Sequence, residues 1–130
     1  MNIPANLKYT QNDEWVNVEG HTATIGITDY AQEQLSDVVF VEILVSEGES
    51  VSQGDSCATV ESVKAASDVY LPVSGTVTAV NEDLPDAPET VNSDPYGAAW
   101  MVKLTLSDSD ELDGLMDAAA YQAYCQEREH

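Results

Sequence analysis

Residues 15–27 read WVNVEGHTATIGI, and this pattern predicts a β-hairpin. Two short runs, 15–18 and 23–27, are rich in the aromatic and β-branched residues that strands favour. Glu19 and Gly20 lie between them as the turn, because glycine adopts the backbone angles that tight turns require. The hairpin indicates that antiparallel β-structure begins near the start of the chain.

Short strand-like segments separated by turn signals continue along most of the chain. After the hairpin, Thr28 is expected to cap a short connecting helix over residues 28–35. Residues 38–45 read VVFVEILV, a run typical of a strand buried on both faces. Further strands are predicted at residues 56–60, 69–71, 76–80 and 100–106. Many short strands at this spacing predict a mainly β sandwich or barrel.

The last part of the chain changes to a helical period. One face of an amphipathic helix would carry Leu112, Leu115, Met116, Ala119 and Ala123. Ser107 or Ser109 is the expected cap. The sequence therefore predicts a C-terminal helical segment at about 109–127, packed on a β core at about 15–106. At 130 residues, the chain 1–130 is expected to form a single domain.

The charge balance limits the partners that the protein can have. There are 24 acidic against 4 basic residues, which gives a formal net charge of -20 and a pI near 4.1. Such a surface repels phosphate groups, so neither nucleic acid nor an anionic membrane is an expected partner. Residues 1–8 lack the features of a signal or transit peptide, so a cytoplasmic chain is expected. The same field would steer the chain toward proteins with basic docking faces.

Cysteine, histidine and acidic residues form no recognisable catalytic or metal-binding pattern. Cys57 and Cys125 are expected to be free thiols, with Cys57 a small core residue. His21 and His130 are isolated in the sequence. The acidic run that begins at Asp108 fails the spacing of a calcium-binding loop. We therefore predict no catalytic residue and no metal site.

The segment most informative about function is Val60 to Asp68, which reads VESVKAASD. Lys64 is one of three lysines in a chain of charge -20, and it falls between two predicted strands. The small residues that follow it, Ala65 and Ala66, leave its amine sterically open. An exposed lysine on a hairpin turn usually has no special role, because most lysines are exposed. These features favour a special role for Lys64, since an open amine is what a modifying ligase requires, but they do not by themselves identify a modification.

Glu61-Ser62-Val63-Lys64-Ala65 resembles the lipoylation segment of the glycine cleavage system H proteins. The resemblance extends over roughly residues 7–124. Its other segments are Leu7-Lys8-Tyr9, Glu14-Trp15-Val16, Gly26-Ile27-Thr28-Asp29, Ala31-Gln32, Val39-Phe40-Val41-Glu42, Pro72-Val73-Ser74-Gly75, Val91-Asn92, Asp94-Pro95-Tyr96-Gly97 and Trp100. Asp13 and Tyr30 depart from the family pattern, because histidines are common at these positions. The segment Ile43-Leu44-Val45-Ser46-Glu47 also departs from it, since it replaces a shorter turn that contains proline. These departures are expected to alter partner contacts near the arm.

The resemblance implies a lipoyl/biotinyl-like barrel-sandwich hybrid, a flattened barrel or sandwich with short peripheral helices. It implies lipoate attached covalently to Lys64 as N6-lipoyllysine, with Glu61 helping the lipoyl-attaching enzymes to recognise the turn. Glu14 and Asp68 are the expected contacts of the loaded arm. The chain would be a non-catalytic carrier that passes the aminomethyl group of glycine from glycine decarboxylase to an aminomethyltransferase, and its dithiol to dihydrolipoamide dehydrogenase.

Three other functions stay open on the sequence alone. The chain could be an H-like lipoyl reservoir or relay for other complexes. It could be a biotin carrier, although Val63 and Ala65 stand where that family usually has methionines. It could also be an unmodified acidic interaction module. A lipoyl mass increment on the peptide that contains Lys64 would exclude the last of these.

Overall fold

Two antiparallel β-sheets that are not closed into a barrel form most of this computed structural model, which describes residues 1–128. The larger sheet has the strand order β1-β2-β3-β9-β8-β5, and the smaller has the order β4-β6-β7. The strands are β1 Lys8–Tyr9, β2 Glu14–Glu19, β3 Thr22–Ile27, β4 Val38–Ile43, β5 Ser50–Val51, β6 Ser56–Ser62, β7 Ala66–Tyr70, β8 Gly75–Val80 and β9 Val102–Leu106. The predicted mainly β fold is confirmed.

Short helices lie between and after the strands. The helices are α1 Asp29–Leu35, α2 Thr90–Ser93 and α3 Ala118–Arg128, with 3-10 turns at Leu84–Asp86 and Ser109–Gly114. Thr28 caps α1 as predicted, since its hydroxyl accepts a hydrogen bond from the Ala31 N–H at 3.2 Å.

The predicted first hairpin is confirmed as the pair β2 and β3, whose turn contains Gly20 at a φ of 63°. Apolar side chains from both sheets meet in one buried cluster, which includes Val16 and Ile25 of the large sheet and Val41 and Val60 of the small one. Cys57 belongs to this cluster, as the sequence predicted. Burial of this shared face is what holds the two sheets together.

The prediction that residues 38–45 form a strand buried on both faces is wrong. β4 ends at Ile43, and Val39 and Phe40 are 55% and 44% exposed. The pairing register between β4 and β6 shifts between Val38 and Phe40. A β-bulge of this kind breaks the alternation of inward and outward side chains. Because β4 is also an edge strand, its outer side has no neighbouring strand to cover it.

The prediction that Leu112, Leu115, Met116, Ala119 and Ala123 form the apolar face of one continuous helix is also wrong. Met116 does not continue a helix, because its backbone exchanges hydrogen bonds with Tyr9 at 2.8 and 2.9 Å. α3 therefore starts afresh at Ala118 and buries Tyr121 and Cys125. Asp108, rather than either predicted serine, caps the preceding 3-10 turn.

The end of α3 is fastened to the body by Arg128. Its guanidinium donates to both carboxylate oxygens of Asp13, at 2.6 and 3.1 Å, and lies over the rings of Tyr30 and Tyr124. Asp13 and Tyr30, two of the departures from the family pattern, thus contact the same side chain.

Candidate functional site

Lys64 lies at the tip of the hairpin formed by β6 and β7, with its side chain exposed. The two strands pair up to Glu61 and Ala66, and the Ser62 N–H donates to the Ala65 carbonyl at 2.7 Å. The Ser62 hydroxyl accepts from the backbone N–H groups of Lys64 and Ala65 at 3.3 and 3.1 Å. The tip therefore has an ordered backbone from which a lysine side chain extends freely.

The hairpin tip is also tied to the segment between α1 and β4. The Val63 N–H donates to the Asp37 carbonyl at 3.1 Å. The Asn92 side chain holds the residues on either side of Asp37, because it accepts from the Val38 N–H at 2.8 Å and donates to the Ser36 carbonyl at 2.7 Å. Asn92 was part of the family resemblance, but its bonding partners lie 54 and 56 positions away, so sequence reasoning assigned it no role at the site.

Glu61 is exposed on β6 and stands opposite Phe40 in the pairing register. Its position three residues before Lys64 leaves it accessible to a protein that approaches the hairpin. The predicted recognition pair of Glu61 and Lys64 therefore shares one exposed end of the small sheet.

Glu14 is buried, with 1% of its surface exposed. Its carboxylate accepts a hydrogen bond from the Thr10 hydroxyl at 2.6 Å and one from the Tyr70 N–H at 3.1 Å. Burial raises the pKa of Glu14 above its ordinary value, although both hydrogen bonds act in the opposite direction. Glu14 borders a cleft of about 270 Å³ that Tyr70 and Met116 also line.

Asp68 is exposed on β7 and borders a different cavity, of about 130 Å³, together with Asn12 and Ser67. The two acids predicted to contact the loaded arm therefore do not line one cavity. Tyr70 connects them, because its N–H donates to Glu14 and its hydroxyl lies 3.5 Å from the Asp68 carboxylate. Sequence reasoning did not identify Tyr70, which has no distinguishing motif around it.

The raised pKa of Glu14 predicts how the stability of the protein depends on pH. A carboxyl with a raised pKa in the folded state binds its proton more tightly there than in the unfolded chain. The free energy of unfolding should therefore fall as pH rises from the ordinary value of 4.5 through the raised pKa of Glu14. Glu14→Gln removes this ionisation, so the difference in melting temperature between the variant and the wild type should shift in favour of the variant as pH rises.

Thermal melts from pH 4 to pH 9 measure this difference. Glu19→Gln, which removes an exposed carboxylate at the end of the same strand, controls for the loss of one negative charge. A difference in melting temperature between Glu14→Gln and wild type that stays constant across the pH range would contradict the claim that burial raises the pKa of Glu14.

The reactive side chains outside the lysine hairpin include the thiol of Cys57, which is buried. Burial raises the pKa of the Cys57 thiol to about 12, which keeps it protonated and unreactive at neutral pH. Among residues 1–128, no group of three or more histidine, cysteine or acidic side chains is placed to hold a metal ion. No helix within the same residues is long and apolar enough to cross a membrane.

Two antiparallel sheets that present one ordered hairpin with an exposed lysine define the lipoyl-type class of carrier domain. The family model for the glycine cleavage H-protein matches residues 7–128. The chain belongs to the glycine cleavage H-protein family, and this membership supports a lipoyl-carrier role in glycine cleavage.

Individual relatives agree with the family model over nearly the whole chain. The glycine cleavage system H protein of Idiomarina loihiensis is 57% identical over 123 residues, which cover 94% of this chain and 95% of that protein. The glycine cleavage system H protein of Halothermothrix orenii is 50% identical over 129 residues, which cover 99% of this chain and 100% of that protein. The crystal structure of a glycine cleavage system H protein from Mycobacterium marinum has a TM-score of 0.84 at 35% identity, and covers 98% of this chain and 100% of that one.

Proposed function

We propose that Lys64 carries the lipoyl group, attached through an amide bond as N6-lipoyllysine. The observation that supports this assignment is the exposed side chain of Lys64 at the tip of a hairpin whose backbone is held by Ser62 and Asp37. An ordered base with a long free arm suits a carrier, because the arm moves while its point of attachment stays fixed. The whole chain, 1–130, would serve as one lipoyl-carrier domain.

The proposed role is a relay between three enzymes. The lipoyl disulfide accepts the aminomethyl group of glycine as glycine decarboxylase releases carbon dioxide. An aminomethyltransferase then passes the one-carbon unit to tetrahydrofolate with loss of ammonia, which leaves the dithiol. Flavin-dependent dihydrolipoamide dehydrogenase reoxidises the dithiol, and NAD accepts the two electrons. The carrier supplies no catalytic group of its own in this sequence of reactions.

The length of the arm suits this relay. A lysine joined to lipoate reaches roughly 14 Å from its Cα at about 1.25 Å per bond along an extended chain. That length is enough to enter an active-site cleft while the body of the carrier remains on the enzyme's surface. Docking of the body makes the encounter intramolecular, at an effective concentration of order millimolar.

Glu14 and Asp68 are the proposed contacts of the loaded arm. The aminomethyl group is a protonated amine near neutral pH, and a carboxylate in a partly dry cleft forms a strong charge-assisted hydrogen bond with it. Because the two acids border different cavities joined by Tyr70, the amine would contact one of them at a time. Either contact would keep water away from the labile carbon.

We expect the isolated aminomethyl-loaded protein to hydrolyse faster when these acids are neutralised. Glu14→Gln and Asp68→Asn keep the size of each side chain but remove its charge. Loss of one charge-assisted bond, worth about 1.5–3 kcal/mol, should shorten the half-life of the loaded arm by roughly 10-fold or more. Mass spectrometry of the loaded protein over time measures this half-life, and Glu19→Gln is the matched surface control. Wild-type half-lives in both folded variants would remove this role and leave the assignment of Lys64 intact.

The proposed function as a whole is tested by two measurements on one sample. Intact mass of protein from a lipoylating cell should show a lipoyl increment, which peptide mapping places on the peptide that contains Lys64. Addition of glycine, glycine decarboxylase and its pyridoxal phosphate should then add the aminomethyl group. An unmodified Lys64 would overturn the carrier assignment. A lipoylated protein that glycine does not load would instead be a lipoyl reservoir or relay.

A further inference from the structure

The apolar side chains on the surface of this protein are concentrated beside the lysine hairpin. Among residues 1–128, five large apolar side chains are exposed, and three of them, Val39, Phe40 and Val63, lie at the hairpin end of the small sheet. Val63 directly precedes Lys64 and is 67% exposed. Phe40 pairs in register with Glu61, two residues before Val63. We call Val39, Phe40 and Val63 the tip patch.

The tip patch is exposed because of the bulge in β4. A regular strand would turn Val39 and Phe40 to opposite faces and so bury one of them. In β4 the pairing register shifts between Val38 and Phe40, and as a result Val39 and Phe40 are both exposed. Exposed apolar residues on an edge strand favour aggregation, so they are usually replaced by charged residues. Val39 and Phe40 are apolar and exposed in a chain with 24 acidic residues, which points to a binding role for them.

The surroundings of the tip patch define the chemistry of its partner. Phe40 also borders a cavity of about 400 Å³ along β4, and the acidic side chains of Glu42 and Glu82 line that cavity. Glu61 flanks the other side of Phe40. A complementary surface therefore presents apolar side chains bordered by lysine or arginine. A second copy of this chain does not fit, because both copies would bring a charge of -20 to the contact.

Distance from Lys64 decides which protein with such a surface would bind here. An enzyme that reacts with the lipoyl ring can work roughly 14 Å from the Lys64 Cα, at about 1.25 Å per bond. An enzyme that acylates the lysine must reach Nζ, which is only about 6 Å from that Cα at the same length per bond. The acylating enzyme therefore has to contact the residues next to Lys64. These include Val63, and Phe40 pairs in register with Glu61, three residues before Lys64.

We propose that the tip patch is the docking surface for the enzyme that attaches lipoate to Lys64, an inference that rests on the proposed function. In that reaction the uncharged Nζ amine attacks the carbonyl carbon of a lipoyl–phosphate mixed anhydride or a lipoyl thioester. An amide C–N bond forms, the bond to the leaving phosphate or thiolate breaks, and the nitrogen releases one proton. The tip patch supplies binding energy for this encounter and touches none of the reacting atoms.

Steady-state lipoylation of the apoprotein by purified lipoate–protein ligase, with lipoate and ATP, tests the proposal. Val63→Ser and the double variant Val39→Thr/Phe40→Ser should each lower kcat/KM at least tenfold, the loss expected for a buried apolar contact at an interface. The loss should lie in KM, because the reacting atoms are unchanged. Thermal melting checks the fold, and Val63→Ser keeps the test valid if the double variant unfolds, since Val63 lies outside both strands.

Leu44→Ser is the matched control. Leu44 is 46% exposed but lies four residues beyond Phe40, roughly 13 Å along the chain at about 3.3 Å per residue. The Leu44→Ser variant should be lipoylated with the same kcat/KM as the wild type. Patch variants with wild-type kcat/KM, or an equal loss in Leu44→Ser, would overturn the docking proposal while leaving Lys64 as the acceptor.

Two further outcomes identify other errors. Normal lipoylation of the patch variants with impaired glycine-dependent loading would mean that the decarboxylase, and not the acylating enzyme, binds the tip patch. A wild-type protein that gains no lipoyl mass would overturn both this proposal and the proposed function.

Discussion

Lys64→Arg is expected to abolish lipoylation and glycine-dependent loading together, with the fold unchanged. Arginine keeps the positive charge of an exposed turn residue, but its guanidinium stays protonated at physiological pH and does not form the lipoyl amide. A surface substitution of this kind changes the free energy of unfolding by no more than about 0.5 kcal/mol. Intact mass, thermal melting and transfer of the one-carbon unit in a reconstituted system measure the three effects.

Lys8→Arg is the matched control for this experiment, because Lys8 is an exposed lysine on β1. That variant should be lipoylated and loaded like the wild type. Glycine-dependent turnover retained in Lys64→Arg would show that another group carries the intermediate, and would disprove the assignment of Lys64.

Gly75→Ala is expected to cause the largest loss of stability among the glycine variants. A Cβ at Gly75 would overlap the backbone carbonyl of Thr105 in the neighbouring strand and lie 2.8 Å from Leu104 Cδ1. Because a backbone group in the middle of a sheet cannot move aside, β8 and β9 would have to separate. Overpacking of this kind costs about 1–3 kcal/mol and occasionally more, and we expect the upper end of that range.

Urea denaturation of the two alanine variants at Gly75 and Gly114 isolates this steric effect. A Cβ at Gly114 meets no atom within 4 Å, so Gly114→Ala adds the same methyl group without a clash. Its free energy of unfolding should stay within about 1 kcal/mol of the wild type. Equal stability of the two variants would mean that the β8 and β9 pairing adapts to the methyl group.

Local sequence signals predicted the features of this fold that depend on local interactions. The first hairpin and its Gly20 turn follow from β propensity and turn chemistry within 13 residues. Thr28 was identified as a helix cap because capping joins residues only three positions apart. The exposed position of Lys64 followed from two short strands with small residues between them. Each of these predictions rests on neighbours in the sequence.

Features that depend on distant contacts could not be predicted in the same way. The run at residues 38–45 looked fully buried because its composition is apolar, and nothing in it signals the bulge or the edge position of β4. The phase of α3 was missed because Met116 pairs with Tyr9, which is more than 100 positions away. The hydrogen bond between Glu14 and Tyr70 likewise spans 56 positions.

Two departures from the family pattern illustrate the same limit. The sequence predicts that Asp13 and Tyr30 alter partner contacts near the arm. In the structure, both contact Arg128 at the end of α3. Arg128 lies more than 90 positions away from each of them, so no local pattern indicates these contacts.

The order of the strands has a consequence for the newly synthesised chain. All three strands of the small sheet have been synthesised once the chain reaches Tyr70. β3 of the large sheet cannot pair with β9 until Leu104, the partner of Ala23, has been synthesised. At about 5–20 residues per second, synthesis of residues 71–106 takes roughly 2 to 7 seconds. During that interval the large sheet that will cover Val41 and Val60 lacks β8 and β9. Strong negative charge keeps neighbouring nascent chains apart while this apolar face is open.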